Sequence, residues 1–255
     1  SGDRNRRALK NWKRKAGSAD AEILPALQNA RADSRDLMRN APLARGAVNT
    51  VVTNVVGTGL RPQSRTDREI LRSLAKLTDA QIDTFERAAE REFRIWSHNA
   101  ACDAARSMTF SGQQALALRS TLESGDIFCL RRMIKRPGVR HELALQMIEA
   151  DRVDNPRGTA DTALLCGGVK RDEYGAAVAY HITTSHPGNA YLSKEKYETV
   201  VYPAFLGNGE WNVLHLMIKE RPEQTRGVPY LAPVVELLKQ LSEYTDAEIM
   251  AAVIS

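Results

Sequence analysis

The stretch Thr121-Leu122-Glu123-Ser124-Gly125-Asp126-Ile127-Phe128-Cys129-Leu130-Arg131-Arg132-Met133-Ile134 contains the change of regime on which the fold turns. Upstream of Gly125 the apolar residues keep helical spacing, and Gly125 is a natural helix stop because glycine tolerates the left-handed turn that closes a helix. From Asp126 the period changes. The run 127–134 reads as a short strand, and 143–148 repeats it after a loop containing Pro137-Gly138, so the two are expected to pair as a hairpin. A second pair, 164–170 and 176–183, brackets Asp172-Glu173-Tyr174-Gly175, and two further runs, 199–205 and 212–218, follow a stretch rich in Gly, Pro and Ser. These connections are too short for crossover helices, which makes the middle third antiparallel β.

Working outward, residues 20–96 are helical in pattern. Val48, Val51, Val52, Val55 and Val56 recur at helical spacing between a start at Asn40 and Pro42 and a stop at Gly57 and Gly59. Valine also suits strands, and here the spacing and the glycines decide for helix. Ile82, Phe85, Ala89, Phe93 and Trp96 share one face after Thr78, a suitable N-cap. A third helix is expected to begin at Ser111, with Ser111 and Gln114 as a capping box, and to end at Gly125. After a loop over 222–229, Val234, Leu237, Leu238, Leu241, Tyr244 and Ile249 resume the helical pattern with no Gly or Pro before Ser255. A helix from Pro233 would be about 34 Å long if straight. Such an uncapped apolar face is expected to need partners from later sequence or another chain, so the chain reads as a fragment.

The expected architecture is therefore α+β. Residues 1–17 form a basic flexible arm, 18–125 a mainly helical part, 126–220 a β-rich part, and 221–255 a loop and the start of a long helix.

Composition narrows the classes. With 255 residues, 43% hydrophobic and 26% charged, the chain can bury roughly 70 to 75% of its unfolded surface without disulfide or metal, and it is neither collagen-like nor wholly disordered. No window of 18 apolar residues offers a bilayer span, and the basic N-terminus lacks the apolar core of a secretory signal. Cys102, Cys129 and Cys166 are odd in number and fit neither a disulfide framework nor a zinc-ligand spacing. The formal charge of +5 is concentrated at the start: Arg4, Arg6, Arg7, Lys10, Lys13, Arg14 and Lys15 face only Asp3 before residue 16, leaving the remainder close to neutral. With only Leu9 and Trp12 to bury, this arm should not order alone. It is a solubilising tail or a contact for a polyanion or partner, and each neutralised phosphate would add about −0.9 to the salt slope of binding.

Signatures of catalysis are absent or broken. No Gly-Lys dipeptide exists for a phosphate-cradling loop, and Gly57-Thr58-Gly59 continues into Leu60-Arg61-Pro62, which spoils a dinucleotide fingerprint. His141-Glu142 begins like a zinc-protease motif, but Leu145 stands where the second histidine belongs. Cys129 or Cys166 could act as a nucleophile only if the fold brings His181, His186 or His215 to it. Glu149, Asp151 and Asp154 could form a metal or acid/base group, or a solvated turn before Asn155-Pro156. The sparse aromatics, 6%, do not interleave with basic residues as a single-strand stacking platform requires.

Several phrases, in order, resemble the lambda-type portal proteins of tailed bacteriophages. They are Asp36-Leu37-Met38-Arg39-Asn40-Ala41-Pro42-Leu43-Ala44, Val55-Val56-Gly57-Thr58-Gly59-Leu60-Arg61-Pro62, Glu123-Ser124-Gly125-Asp126-Ile127-Phe128 and Gln146-Met147-Ile148-Glu149-Ala150-Asp151, followed by Val178-Ala179-Tyr180-His181, His186-Pro187-Gly188, Val213-Leu214-His215 and Gln224-Thr225-Arg226-Gly227-Val228-Pro229. The resemblance covers the N-terminal half of that family: the wing, with the last helix leading toward the stem, and without clip or crown. It implies a structural protein of the virion, assembled in the host cytoplasm, with no cofactor and no catalysis. It implies a homo-oligomeric ring, usually a dodecamer, at one capsid vertex, through which double-stranded DNA is packaged and ejected. Its partners would be the terminase large subunit, capsid and scaffold proteins, and a head–tail adaptor, with no membrane.

A closed ring of identical chains needs two complementary faces on each subunit. Leu237, Leu241 and Tyr244 on the last helix are candidate interface residues. Arg226 is another, either gripping a neighbour's carboxylate bidentately or holding the turn before that helix. Two other readings stand beside this one: a cysteine-dependent or metal hydrolase on an α+β fold, and a sequence-specific DNA binder using the basic arm. The last is separable because its affinity would follow base sequence at fixed salt.

Overall fold

The computed structural model describes residues 16–189 and 198–254. The basic residues of the arm lie outside the described residues. The chain opens with α1 (Ala19–Asn40), α2 (Pro42–Val56), α3 (Arg68–Leu74), α4 (Asp79–His98) and α5 (Phe110–Ser124). It then turns to β1 (Asp126–Met133) and β2 (Leu143–Glu149), β3 (Leu165–Cys166), β4 (Val169–Arg171), β5 (Ala177–Thr183), β6 (Thr199–Pro203) and β7 (Val213–Met217), and closes with α6 (Val235–Ile254). The α+β expectation holds.

The change at Gly125 is where the sequence places it. Gly125 takes φ +89°, its N–H bonds Thr121 O at 3.0 Å, and β1 begins at the next residue. The valine helix runs from Pro42, a favoured first helical residue, to Val56, with Gly57 at φ +52° closing it. Val48, Val52 and Val56 face the interior, while Val51 and Val55 remain exposed. At α4 the capping box is complete: Thr78 accepts from Gln81 N–H and the Gln81 side chain accepts from Thr78 N–H. Thr78→Ala is expected to cost about 1 kcal/mol, a fall of roughly 2–4 °C in melting temperature by calorimetry.

The third helix differs from expectation. It starts at Phe110 with Thr109 at the cap position, so Ser111 lies inside the first turn and pairs with the Thr109 hydroxyl at 3.1 Å. Gln114 is recruited by a distant loop instead, accepting from Leu60 N–H at 2.8 Å and donating to Leu60 O at 3.3 Å. Local capping chemistry yields to a tertiary hydrogen bond. Ser111→Ala should therefore leave stability within about 0.5 kcal/mol, in contrast to Thr78→Ala. The run 164–170 is likewise two strands, β3 and β4, because Gly167 (φ +54°) and Gly168 (φ +80°) fold it back on itself.

The strands form two antiparallel sheets, ordered β2-β1-β7 and β3-β4-β5-β6. β1 pairs with its hairpin partner, Phe128 opposite Ile148, and on its other edge with the distant β7, Phe128 opposite His215. Both sheets contribute to one core: Phe128, Leu130, Ile148 and Val213 from the first, and Val169, Tyr180 and Ile182 from the second. A second core joins α1 (Leu37, Met38), α2 (Ala44, Val48, Val52) and Leu122 of α5 to Leu231, with Val235 and Leu238 of α6 packed against it. The two cores meet where α5 hands over to β1, and the segment leading into α6 returns to that same point.

Candidate functional site

Asp126 is the first residue of β1 and is completely buried. A lone carboxylate there would be prohibitively costly, and the chain surrounds it with donors from three other segments. Arg31 of α1 reaches Asp126 Oδ1 at 2.8 Å and also donates to Ser124 O at 2.8 Å. Arg226 donates to Asp126 Oδ2 from Nε at 2.6 Å and to Oδ1 from Nη2 at 3.2 Å. His215 of β7 places Nε2 at 3.0 Å from Oδ2, and Gly227 N–H reaches the same oxygen at 3.2 Å.

Arg226 is itself buried, and all five of its N–H groups are used. Besides Asp126 it donates to Val153 O (2.6 Å), Gly167 O (2.7 Å) and Ala150 O (2.8 Å). Its guanidinium also lies over the Phe128 ring, 5.1 Å from the centroid. The bidentate grip on a carboxylate thus exists inside the subunit. Of the two roles considered from sequence, holding the local chain is the one the geometry supplies, because no donor is left over for a neighbour's carboxylate.

Electrostatics follow from this crowding. Burial opposes ionisation of Asp126, but the charges of Arg226 and Arg31 and the hydrogen bonds from His215 and Arg226 outweigh it, holding the carboxyl below its usual range. Burial also pulls Arg31 down to about 10, with the Arg226 charge adding to the effect, so at neutral pH Arg31 is still a cation. For His215, burial favours the neutral ring more than the Asp126 hydrogen bond favours the charged one, and both arginines add to the depression. The imidazole stacks on Phe128 with centroids 4.1 Å apart.

The sign of the pH effect is fixed. An unfolded histidine protonates near 6.5, whereas the folded His215 resists protonation. The unfolded state therefore binds the proton first, and stability is lost as pH falls below about 6.5. Asp126 adds a second loss in the same direction, below the ordinary carboxylate range. Thermal melts between pH 7.5 and 5 should show a decline that His215→Gln flattens, since glutamine keeps a donor and does not titrate.

Around this centre a second ring of contacts ties α1 to the segment before α6. Asp20 accepts from Thr225 N–H (2.8 Å) and Thr225 Oγ1 (2.6 Å) and pairs with Arg171 (3.2 Å). Glu22 pairs with Arg221 at 2.7 Å, and Arg221 also donates to Gly17 O. Gln224, buried, accepts from Glu220 and Arg221 N–H and donates to Arg226 O. Sequence reading singled out Arg226 but not Asp126, Arg31 or Asp20. The available signal for Asp126 was a carboxylate heading an apolar strand directly after a helix-ending glycine.

The other candidates separate. Cys129 and His215 occupy opposite faces of the first sheet, because His215 is registered opposite Phe128 and stacks on it while Cys129 is the adjacent residue. Burial raises the Cys129 thiol to about 12 and, aided by the Asp20 and Asp161 charges, Cys166 to about 12. Cys166 Sγ faces the Asp20 carboxylate at 3.5 Å rather than an imidazole. These are thiols, not nucleophiles. His141 lies beside Glu92 at 3.2 Å in the loop before β2. Glu149 and Asp151 are not a simple solvated turn, since both pair with Arg35 and both lie near His186. Arg35 already supplies the cation that this acidic group would otherwise seek. On α6, Leu237 and Tyr244 are 65% and 64% exposed, whereas Leu241 is less exposed and lines a groove with Ala41, Pro42 and Leu43 of the α1–α2 junction. No helix among the described residues is long and apolar enough to cross a membrane.

With this geometry in place, comparison with known proteins is decisive. The model of the phage portal protein, lambda family, matches residues 5–255. The chain belongs to the lambda family of phage portal proteins. It is 23% identical over 248 residues to portal protein B of Escherichia phage lambda and 25% identical over 250 residues to the portal protein of Escherichia phage N15. Over 244 residues it is 29% identical to the probable portal protein of Halomonas phage phiHAP-1. These matches cover 93–96% of this chain and 43–45% of the relatives, so the chain spans less than half of their length. Nothing in the comparisons or the geometry supports the hydrolase reading.

Proposed function

We propose that this chain is the N-terminal part of a structural portal subunit, comprising the wing and the first helix toward the stem, with no catalytic role. The observation that carries this reading is the family match over residues 5–255. Copies of the complete subunit close into a ring at one vertex of the virion capsid, a dodecamer in our reading, assembled in the host cytoplasm. Double-stranded DNA enters and leaves through it. The terminase large subunit, capsid and scaffold proteins, and a head–tail adaptor engage it from outside.

The structure is compatible with such a wall element. Its polar centre is closed on itself, with Asp126, Arg31 and Arg226 bonded to one another and to buried backbone carbonyls rather than presented to a substrate. A conduit that must pass any genome cannot depend on base-specific contacts, so useful DNA contacts are phosphate-directed. Arg4, Arg6, Arg7, Lys10, Lys13, Arg14 and Lys15 are the proposed polyanion or partner contacts. Leu237, Leu241 and Tyr244, exposed apolar side chains on α6, are proposed as part of the subunit interface. Native mass spectrometry of the full-length product should report a single closed oligomer. A strictly monomeric full-length protein overturns the reading.

A further inference from the structure

α6 is attached to the body of the chain almost entirely at its root. Val235 and Leu238 pack against the helical core, and Leu241 lines a groove with Ala41, Pro42 and Leu43 of the α1–α2 junction. From there outward the helix side chains are exposed: Tyr244, Ile249, Met250 and Val253 are 57–79% accessible. A 20-residue helix is about 30 Å long, so a tilt of about 10° at the root moves the far end by about 5 Å. Residues 224–234, together with the packing of Val235 and Leu238, therefore fix where α6 points.

Those residues are held by the buried cluster. Arg226 and Gly227 bond Asp126, Thr225 bonds Asp20, and Tyr230 N–H caps the C-terminal end of α5 by donating to Leu122 O at 2.8 Å. Gly125 and Gly227 touch backbone to backbone, leaving no room for a side chain at either position. Leu231 is buried just before α6 begins. We infer that the Asp126–Arg226–Arg31–His215 cluster is an orientation latch: it sets the departure angle of α6 from the sheet body, and weakening it frees the root of α6 before the sheets unfold. Arg226 and His215 act as positioning residues through Asp126. This inference does not depend on ring formation, because every contact in it lies within one chain.

The physical basis is the difference in anchoring. The sheets are held by a continuous apolar core from two layers, whereas the 224–234 segment fully buries only Pro229 and Leu231 among its apolar side chains and otherwise relies on charge-assisted and backbone hydrogen bonds. Hydrogen bonds that share one carboxylate are energetically coupled, so removing one partner weakens the others. Segments with few buried apolar contacts open locally at lower free energy than core strands.

Hydrogen exchange read by mass spectrometry on the full-length protein tests the latch. Arg226→Lys, which keeps the charge but loses the fork, and His215→Gln, which keeps a donor, are compared with the core variant Ile182→Val at temperatures well below every melting transition. The latch expects peptides covering 224–240 to exchange about tenfold faster in Arg226→Lys, with β5 peptides unchanged. A smaller increase in the same peptides is expected for His215→Gln, and none there for Ile182→Val. If Arg226→Lys does not fold, His215→Gln carries the test by the same local pattern. Uniform loss of protection across 224–240 and β5 in the cluster variants, or unchanged exchange in 224–240, overturns the inference.

Discussion

Asp126→Ala is expected to destabilise the protein by about 3–5 kcal/mol, lowering its melting temperature by roughly 6–20 °C. The reason is not the value of an ion pair but the cost of what remains. Without the carboxylate, Arg31 and Arg226 would stay buried side by side with no anion between them, and the His215 ring and Gly227 N–H would lose their acceptor. A sharper expectation comes from removing the whole set. Arg31→Met, Asp126→Leu and Arg226→Met combined should be less destabilising than Asp126→Ala alone, since no uncompensated charge is left behind. Four carbonyls, Ser124, Ala150, Val153 and Gly167, would still lose a donor, so full recovery is not expected. Strict additivity of the three single substitutions, measured by denaturant titration, would contradict a cooperative cluster.

The second large effect is steric. A methyl group added to Gly227 would lie closer than 3.0 Å to the carbonyl oxygen and carbon of Gly125, and one added to Gly125 would collide with the Gly227 carbonyl and, at 2.7 Å, with Val228 C. Neither obstacle is a flexible side chain, so the two backbones must separate, and with them the Asp126–Gly227 hydrogen bond. Gly125→Ala carries an added cost because its φ is +89°. Each substitution should cost about 3 kcal/mol or more, read as a loss of folded yield or a large fall in denaturation midpoint. Gly46→Ala is the contrasting case. Its added methyl meets nothing within 4 Å in the middle of α2, and a gain of about 0.5–1 kcal/mol is expected from helix propensity alone.

Elements with local causes were legible in the sequence. Pro42, the valine spacing and Gly57 determine α2 without help from the rest of the chain, and Gly125 followed by Asp126 determines where helix gives way to strand. Thr78 marks the start of α4. What could not be read is what distant residues do to one another. Gln114 looked like a capping partner for Ser111 until Leu60, 54 residues upstream, took both ends of its amide. β7 pairs with β1 across about 80 residues of chain, and no local periodicity encodes that choice.

The buried site shows the same division more sharply. Arg226 drew attention through its position between Thr225 and Gly227, and a bidentate carboxylate contact was the right chemistry. From sequence a neighbour's carboxylate and a local turn role both stand open, because nothing adjacent in sequence identifies Asp126, 100 residues away, as an acceptor. Arg31 reads as one more charge on an amphipathic helix, and only packing of α1 against the α5–β1 junction turns it inward. Leu237, Leu241 and Tyr244 were legible as an apolar row, and the structure leaves that row exposed.

Electron cryo-microscopy of the full-length protein tests the portal reading most directly. The expected result is a closed, rotationally symmetric ring in which the α6 row from Leu237 to Tyr244 is covered by protein and Arg226 stays on Asp126 of its own chain. Particles without rotational symmetry, with that row open to solvent, would contradict it.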